Sequence, residues 1–149
     1  MTASTDRALL ILVAGPYRSY TNDDQTKIAE NYLRMNEAAL QLFRRGHTPL
    51  TGEAIALPLI ELAGSKRMGD APWNDIFHPI GRRLINHVDA VLRIEGRSTG
   101  ADEMVELARL AGKPVFFSLT EVPQIDDLPS SASSHSSCEQ KDRGSQGLK

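Results

Sequence analysis

The chain predicts an α/β fold built on a mostly parallel sheet, and three observations predict it. A continuous apolar run at residues 8–14 and two further short, largely apolar segments at 88–94 and 114–119 read as strands covered on both faces. Between the runs lie segments whose apolar residues repeat every three or four positions, the period of a helix face. The two kinds of segment alternate along the chain, and a crossover helix is what joins parallel neighbours, right-handed by default.

Each element has its own signal. Ala8 to Ala14 is apolar throughout and ends at Gly15-Pro16, which predicts a first buried strand. From about Asp23 to Arg45, Ile28, Tyr32, Met35, Ala39 and Leu42 form one helical face and Glu30, Arg34, Glu37 and Gln41 the other, with Gly46 as the stop. Thr48 to Thr51 reads as a short second strand despite Pro49, and Glu53 to Ala63 as a short helix interrupted by Pro58. Gly64 to Pro72 has loop composition and is a candidate flap. A helix over Trp73 to His87 follows, then a strand over Val88 to Ile94, a helix over Gly100 to Ala111 closed by Gly112, and a buried strand over Pro114 to Leu119.

Composition bounds the function classes. At 149 residues with 40% hydrophobic and 24% charged side chains, the chain has the make-up of an ordinary soluble domain with one core, placed at 8–123 after a short tail over 1–7. A net charge of −2 without a basic run gives no reason to expect nucleic acid as a partner. The first apolar run is too short to span a bilayer, so no membrane segment is expected. The single cysteine, Cys138, has no partner for a disulfide and no metal-ligand spacing around it, which points to a reducing, cytoplasmic compartment. The segment over 124–149, with its run Ser130 to Ser137, is too polar to offset its ordering entropy and is expected to be disordered.

The segment with most chemistry is Asp89 to Glu103, where a buried strand breaks at Ser98-Thr99-Gly100 and opens a helix. The free N–H groups and positive dipole end of a first helical turn attract an anion, and glycine lets it approach. After the first strand, Gly15, Tyr17, Arg18 and Ser19 offer an open backbone, an aromatic ring, a bidentate phosphate donor and a hydroxyl. Ligands of open parallel sheets collect at the carboxyl ends of strands, where both loops belong.

Three segments taken in order, Leu12 to Arg18, Val88 to Leu92, and Ser98 to Glu103 running into Gly112-Lys113-Pro114-Val115, resemble the nucleoside 2-deoxyribosyltransferase superfamily. The likeness extends to its deoxynucleotide N-glycosidase branch and a related group of uncharacterised small proteins, over roughly residues 8 to 119. The resemblance implies a Rossmann-like or flavodoxin-like three-layer sandwich with four to five strands, and a homodimer or higher homo-oligomer. It also implies no metal or organic cofactor, and cleavage or transfer at the N-glycosidic bond of a nucleoside or nucleoside 5′-monophosphate. Gly15, Tyr17, Arg18, Ser19, Ser98 and Gly100 are the implied sugar- and phosphate-binding positions.

One departure stands out. The family's nucleophilic glutamate is expected four residues after the turn glycine, where this chain has Met104. Glu103 is one position earlier, a rotation of about 100° around a helix. Glu103, with Asp102 beside it, is the catalytic candidate if the first turn is wound to present it. The family's aspartate would fall near Gly81 or Arg82, and the nearest acid is Asp75.

As nucleophile, Glu103 would attack the anomeric carbon as the base leaves; Asp102, Asp75 and Glu53 are the candidates to protonate the leaving base. Trp73, with Glu53 and Asp75, is a candidate lid or base contact.

Ordinary readings compete. Asp102 and Glu103 also suit a helix N-terminus as plain dipole partners. Met104 fits a core face with Ala101, Val105, Ala108 and Ala111; His78 and His87 lack triad or metal spacing, and Tyr20 and Tyr32 read as structural. The alternative function is a noncatalytic nucleotide-binding or sensing domain of the same fold. A dinucleotide site ranks lower, because G-x-G-x-x-G spacing and a P-loop are both missing.

Overall fold

A computed structural model of the chain describes residues 7–125. Residues 1–6 and the Ser-rich segment with Cys138 lie outside the described residues. The elements are β1 (Leu10–Ala14), α1 (Gln25–Arg44), β2 (Thr48–Thr51), α2 (Gly52–Leu62), α3 (Ala71–Ile85), β3 (Ala90–Arg93), α4 (Thr99–Leu110) and β4 (Val115–Phe116), followed by a single 3-10 turn over Leu119–Glu121. The four strands form one parallel sheet in the order β2-β1-β3-β4. Leu12 pairs with Leu50 on one side and with Val91 on the other, which makes β1 and β3 the central strands.

Alternation along β1 builds two cores, because successive side chains of a strand leave on opposite faces. Ile11 and Val13 pack with Met35, Ala38 and Leu42 of α1 and with Val122. Leu12 and Ala14 pack on the other face with Ile85 of α3 and Ala101, Met104 and Ala108 of α4. The result is the expected α/β three-layer sandwich. A third cluster, Ala56, Ile60 and Trp73, joins α2 to α3. Among the described residues no helix is long and apolar enough to cross a membrane.

Local chemistry sets the boundaries. Asp24 caps α1 by accepting from the N–H groups of Thr26 and Lys27. Behind α1, Gly46 sits at φ +91, and a Cβ there would come within 3.0 Å of Ile125, so the stop needs glycine for both conformation and space. The α3 helix begins two residues before the sequence predicts because the Asp70 carboxylate caps Trp73 N–H. Of the Gly64 to Pro72 segment, expected as a flap, Ala71 and Pro72 belong to α3 and the rest is a loop closed around that same carboxylate. Desolvation pushes Asp70 up, but donors from Lys66 N, Trp73 N, the Ser65 hydroxyl and Arg67 N outweigh it and hold the acid at about 2.

Four expectations are corrected. Pro58 does not interrupt α2, because the lost backbone bond falls on an exposed turn while Ala56 and Ile60 bury against Trp73 and hold the helix together. On α1 the fully buried line is Ile28, Asn31, Met35, Ala38 and Leu42, with Tyr32 and Ala39 only partly covered at its edge. The last strand is two residues long rather than a buried run from Pro114 to Leu119, and Phe117 is 50% exposed. It is the sheet's edge, and a Ser118 cap turns the chain away immediately. Ala111 caps the end of α4 and is exposed, so the core face of that helix stops at Ala108.

Candidate ligand cleft

In a sheet ordered β2-β1-β3-β4, the crossovers leaving β1 and β3 diverge to opposite faces, which leaves a crevice at the carboxyl ends of the two central strands. A cleft of about 350 Å³ opens there. The two loops that the sequence singled out meet at its rim. Gly96 abuts Pro16 so closely that a Cβ on it would lie 2.6 Å from the proline ring. The Arg97 guanidinium lies 4.7 Å from the centre of the Tyr20 ring, a cation–π contact between the same loops.

Of the residues expected at a site, Gly15, Tyr17, Arg18, Ser19, Glu53, Trp73, Ser98 and Gly100 all line this cleft. Their roles differ in detail from the expectation. A Cβ on Gly15 would fall 2.4 Å from Ile94, so this glycine serves strand packing first. Ser98 is buried, and its hydroxyl oxygen accepts from Ala101 N–H as the cap of α4, leaving its proton to donate. Arg18 is engaged by Asp23, Nε to Oδ1 at 2.6 Å and Nη2 to Oδ2 at 3.1 Å. That hydrogen-bonded pairing raises the arginine's pKa and lowers the aspartate's. Tyr20, Asn22 and Asp23 hold φ values of 58, 51 and 58. Such left-handed backbone is tolerated by Asn and Asp but costly for tyrosine, and buried Thr21 braces it by donating its hydroxyl to Arg18 O.

The walls are aromatic. Tyr17 lies near-parallel to Trp73 at 6.3 Å, tilted to Phe77 at 5.8 Å and edge-on to Tyr32 at 5.9 Å, while Trp73 stacks on Phe77 at 4.7 Å. Trp73 and Phe77 are one helical turn apart on α3, so a single helix face supplies both rings. Desolvation, with the Glu53 charge and Tyr32 adding to it, pushes the Tyr17 phenol up.

Glu53 is the titratable group with the largest change. Thr51 ends β2 and caps α2 at once, its hydroxyl accepting from Ala54 N–H. With no loop between strand and helix, the first turn of α2 is pinned at the sheet's edge and carries Glu53 into the cleft. Burial pushes its carboxyl up to about 7, against a smaller lowering by its own backbone N–H. It takes part in no ion pair among the described residues.

Asp102, Glu103 and Asp75 are not among the lining residues. Glu103 accepts from Arg82 Nε at 2.7 Å on the exposed side of α3 and α4. Asp102 accepts from Arg93 at 3.0 Å and is 71% exposed. The α4 helix turns Ala101, Met104, Val105 and Ala108 inward, which leaves the intervening acids on the outer phase. Met104 fills the cleft floor, its sulfur 3.1 Å from where a Cβ on Gly81 would be.

Phe77, His78, Asn74 and Asp23 line the cleft without having been singled out as ligand contacts by the sequence. Asn31 supports it from behind: buried on α1, its side-chain amide donates to Tyr17 O at 2.9 Å. An asparagine on the apolar stripe of an amphipathic helix was the signal available for it.

No protein-family model and no curated protein matches the chain. Among solved structures, the 2-deoxyribosyltransferase of the psychrotolerant bacterium Bacillus psychrosaccharolyticus is similar at 21% identity and a TM-score of 0.52, over 71% of this chain and 69% of that one. In architecture, the chain has the fold of a 2-deoxyribosyltransferase.

Proposed function

We propose that the cleft takes a nucleoside or nucleoside 5′-monophosphate and acts at its N-glycosidic bond, with Glu53 rather than Glu103 as the carboxyl group that faces the ligand. The observation that carries this reading is one crevice, in the 2-deoxyribosyltransferase fold, holding an aromatic wall, two strand-end loops and a single carboxyl poised near neutrality. A planar base fits against Tyr17, Trp73 and Phe77. The sugar and its 5′ substituent fit toward Gly15, Ser98 and the first N–H groups of α4, which favour oxygen-rich and anionic groups.

In the hydrolytic form, the bond between C1′ and the base nitrogen breaks with its electron pair passing to the base. The protonated Glu53 carboxyl gives the base a proton, a water oxygen bonds to C1′, and the proton that this water loses returns to the Glu53 carboxylate. Nucleoside and water thereby become free sugar and free base, with the enzyme unchanged. A second base in place of water gives transfer. A group with a pKa of about 7 suits an acid and base that cycles at neutral pH.

A second reading, binding without turnover, is favoured by Met104, a buried thioether where the resemblance implies a nucleophile. Incubation with a panel of nucleosides and 5′-monophosphates, followed by chromatography of the free base, separates the two. Release that Glu53→Gln abolishes supports cleavage through Glu53, and undiminished release in that variant overturns its role. Saturable binding with no release leaves the binding reading.

A further inference from the structure

Among the described residues that line the cleft, Arg18 is the only lysine or arginine. A guanidinium grips a phosphate best through two neighbouring N–H donors at once, and here such an edge is already occupied. Nε and Nη2 of Arg18 both donate to the Asp23 carboxylate, at 2.6 and 3.1 Å, and Asp23 lines the same cleft. The other end of the group is covered as well, since a Cβ on Gly69 would stand 2.6 Å from Nη1. Cation and anion therefore offset each other at the wall that a ligand would meet.

The turn between the two residues fixes the pairing. Thr21, 2% exposed, donates its hydroxyl to Arg18 O and accepts from Asp23 N–H. The left-handed backbone of Tyr20, Asn22 and Asp23 curls the chain back, so that a carboxylate five residues on reaches the guanidinium. An exposed ion pair is usually weak because two mobile side chains must be held in register; in this turn the backbone has already brought them together.

The α4 end of the cleft offers hydrogen bonds in place of a cationic side chain. Ala101 N–H is taken by the Ser98 hydroxyl oxygen and Asp102 N–H by Ser98 O, which leaves the N–H groups of Thr99 and Gly100, both in the lining. Those donors and the Ser98 O–H match the hydroxyl oxygens of a sugar. No lysine or arginine in that lining is left to meet a phosphate.

Resting on the proposed nucleoside-binding role, we propose that Asp23 is a specificity-determining residue: by occupying the donor edge of Arg18 it directs the cleft to an uncharged nucleoside in preference to its 5′-monophosphate. Removing that carboxylate frees the guanidinium and turns the same cleft toward the monophosphate.

The test uses the full chain at low salt, where charges are least screened, and at about pH 8, where histidine is ordinarily neutral, so that His78 in the lining adds no cation of its own. Adenosine, cytidine, guanosine and thymidine and their 5′-monophosphates are titrated, with the fluorescence of the single tryptophan, Trp73, as the binding signal. Each nucleoside that binds the wild type does so at least as tightly as its monophosphate. Asp23→Asn, which keeps a residue tolerant of left-handed backbone, tightens the monophosphate about tenfold, between the effects of one unit charge in water and in a partly buried site. It shifts the nucleoside by less than about twofold. Adding Arg18→Gln to Asp23→Asn removes the tightening.

A wild type that binds the monophosphate more tightly than the nucleoside overturns the proposal before any variant is made. An unchanged ratio of the two affinities in Asp23→Asn overturns it too, and so does a tightening that survives Arg18→Gln. Failure of every nucleoside and monophosphate to bind overturns the proposed function itself, a result distinct from binding without discrimination between them.

Discussion

The first turns of α2 and α4 start from the same recipe and end with opposite roles. Each follows a strand, each is capped by a hydroxyl side chain, Thr51 or Ser98, and each carries acid within its first residues. In α2 the strand runs straight into the helix, and Glu53 is brought into the cleft without a cation. In α4 the loop over 94–98 sets a different phase, the small and thioether residues take the inside, and Asp102 and Glu103 meet arginines outside. An acid at a helix start is thus defined by the phase of that helix against the core. The dipole favours both positions alike and does not separate them.

The sharpest way to break the contrast is to neutralise one acid at a time. Glu53→Gln is expected to lower free-base release by about 10²- to 10⁴-fold, measured as kcat/KM, whereas Glu103→Gln leaves it within about twofold. If Glu53 acts as proposed, kcat/KM of the wild type is expected to fall as pH rises above about 7, where burial sets its carboxyl. The stability linkage has the same origin. A carboxyl whose native pKa is raised favours folding most below its unfolded value of about 4.3. That contribution declines as pH rises toward 7 and is gone above it. Denaturant midpoints of Glu53→Gln against wild type, taken at about pH 5 and pH 8, are therefore expected to converge toward acid and separate in the variant's favour toward base.

Met104→Glu tests the other helix by placing a carboxylate on the inward phase. Met104 is only 8% exposed, so an unpaired charge there is expected to cost about 3 kcal/mol or more, read as a lower midpoint in urea. An unchanged midpoint would mean that the inner phase of α4 is more open than its packing indicates.

A smaller effect is expected behind the cleft. Asn31→Ala leaves Tyr17 O without its side-chain donor and should cost about 1–3 kcal/mol, with weakened ligand binding because the Tyr17 ring is no longer held by its backbone. The smallest effect belongs to Arg82→Ala, which breaks the exposed pair with Glu103. A change below about 1 kcal/mol is expected, and a larger one would show that this pair does more than sit at the surface.

Much of the fold was legible in the residues. The run Ala8 to Ala14, the periodicity of α1 and the glycines at 46 and 112 predict the strands, helices and stops found, because burial on both sheet faces and the 3.6-residue repeat leave plain marks. The short last strand was not legible, since an apolar run does not say whether a neighbour exists to cover it. Asp70 as the cap of α3 was missed because Pro72 and Trp73 drew the boundary inward.

At the candidate site, Tyr17, Arg18, Ser98 and Gly100 followed from local chemistry, each standing where a strand gives way to a loop. Glu53 was one acid among three candidates, and nothing in its neighbours Gly52 and Ala54 marks it. Phe77 belongs to a helix that meets Tyr17 only after the chain has passed through β2 and α2, and Asn31 reaches back from the face of α1 to the loop that precedes it.

The sequence by itself determined the alternation of strands and helices, the two loops rich in phosphate-compatible groups, and the absence of a carboxylate at position 104. Those are properties of nearest neighbours and periods, which act within a few residues. Only the tertiary structure decided which acid enters the cleft and that Asp102 and Glu103 face arginines from β3 and α3. Each of those depends on helix phase and on contacts between segments distant in the chain, and burial, which sets the Glu53 carboxyl near neutrality, exists only once those segments have packed.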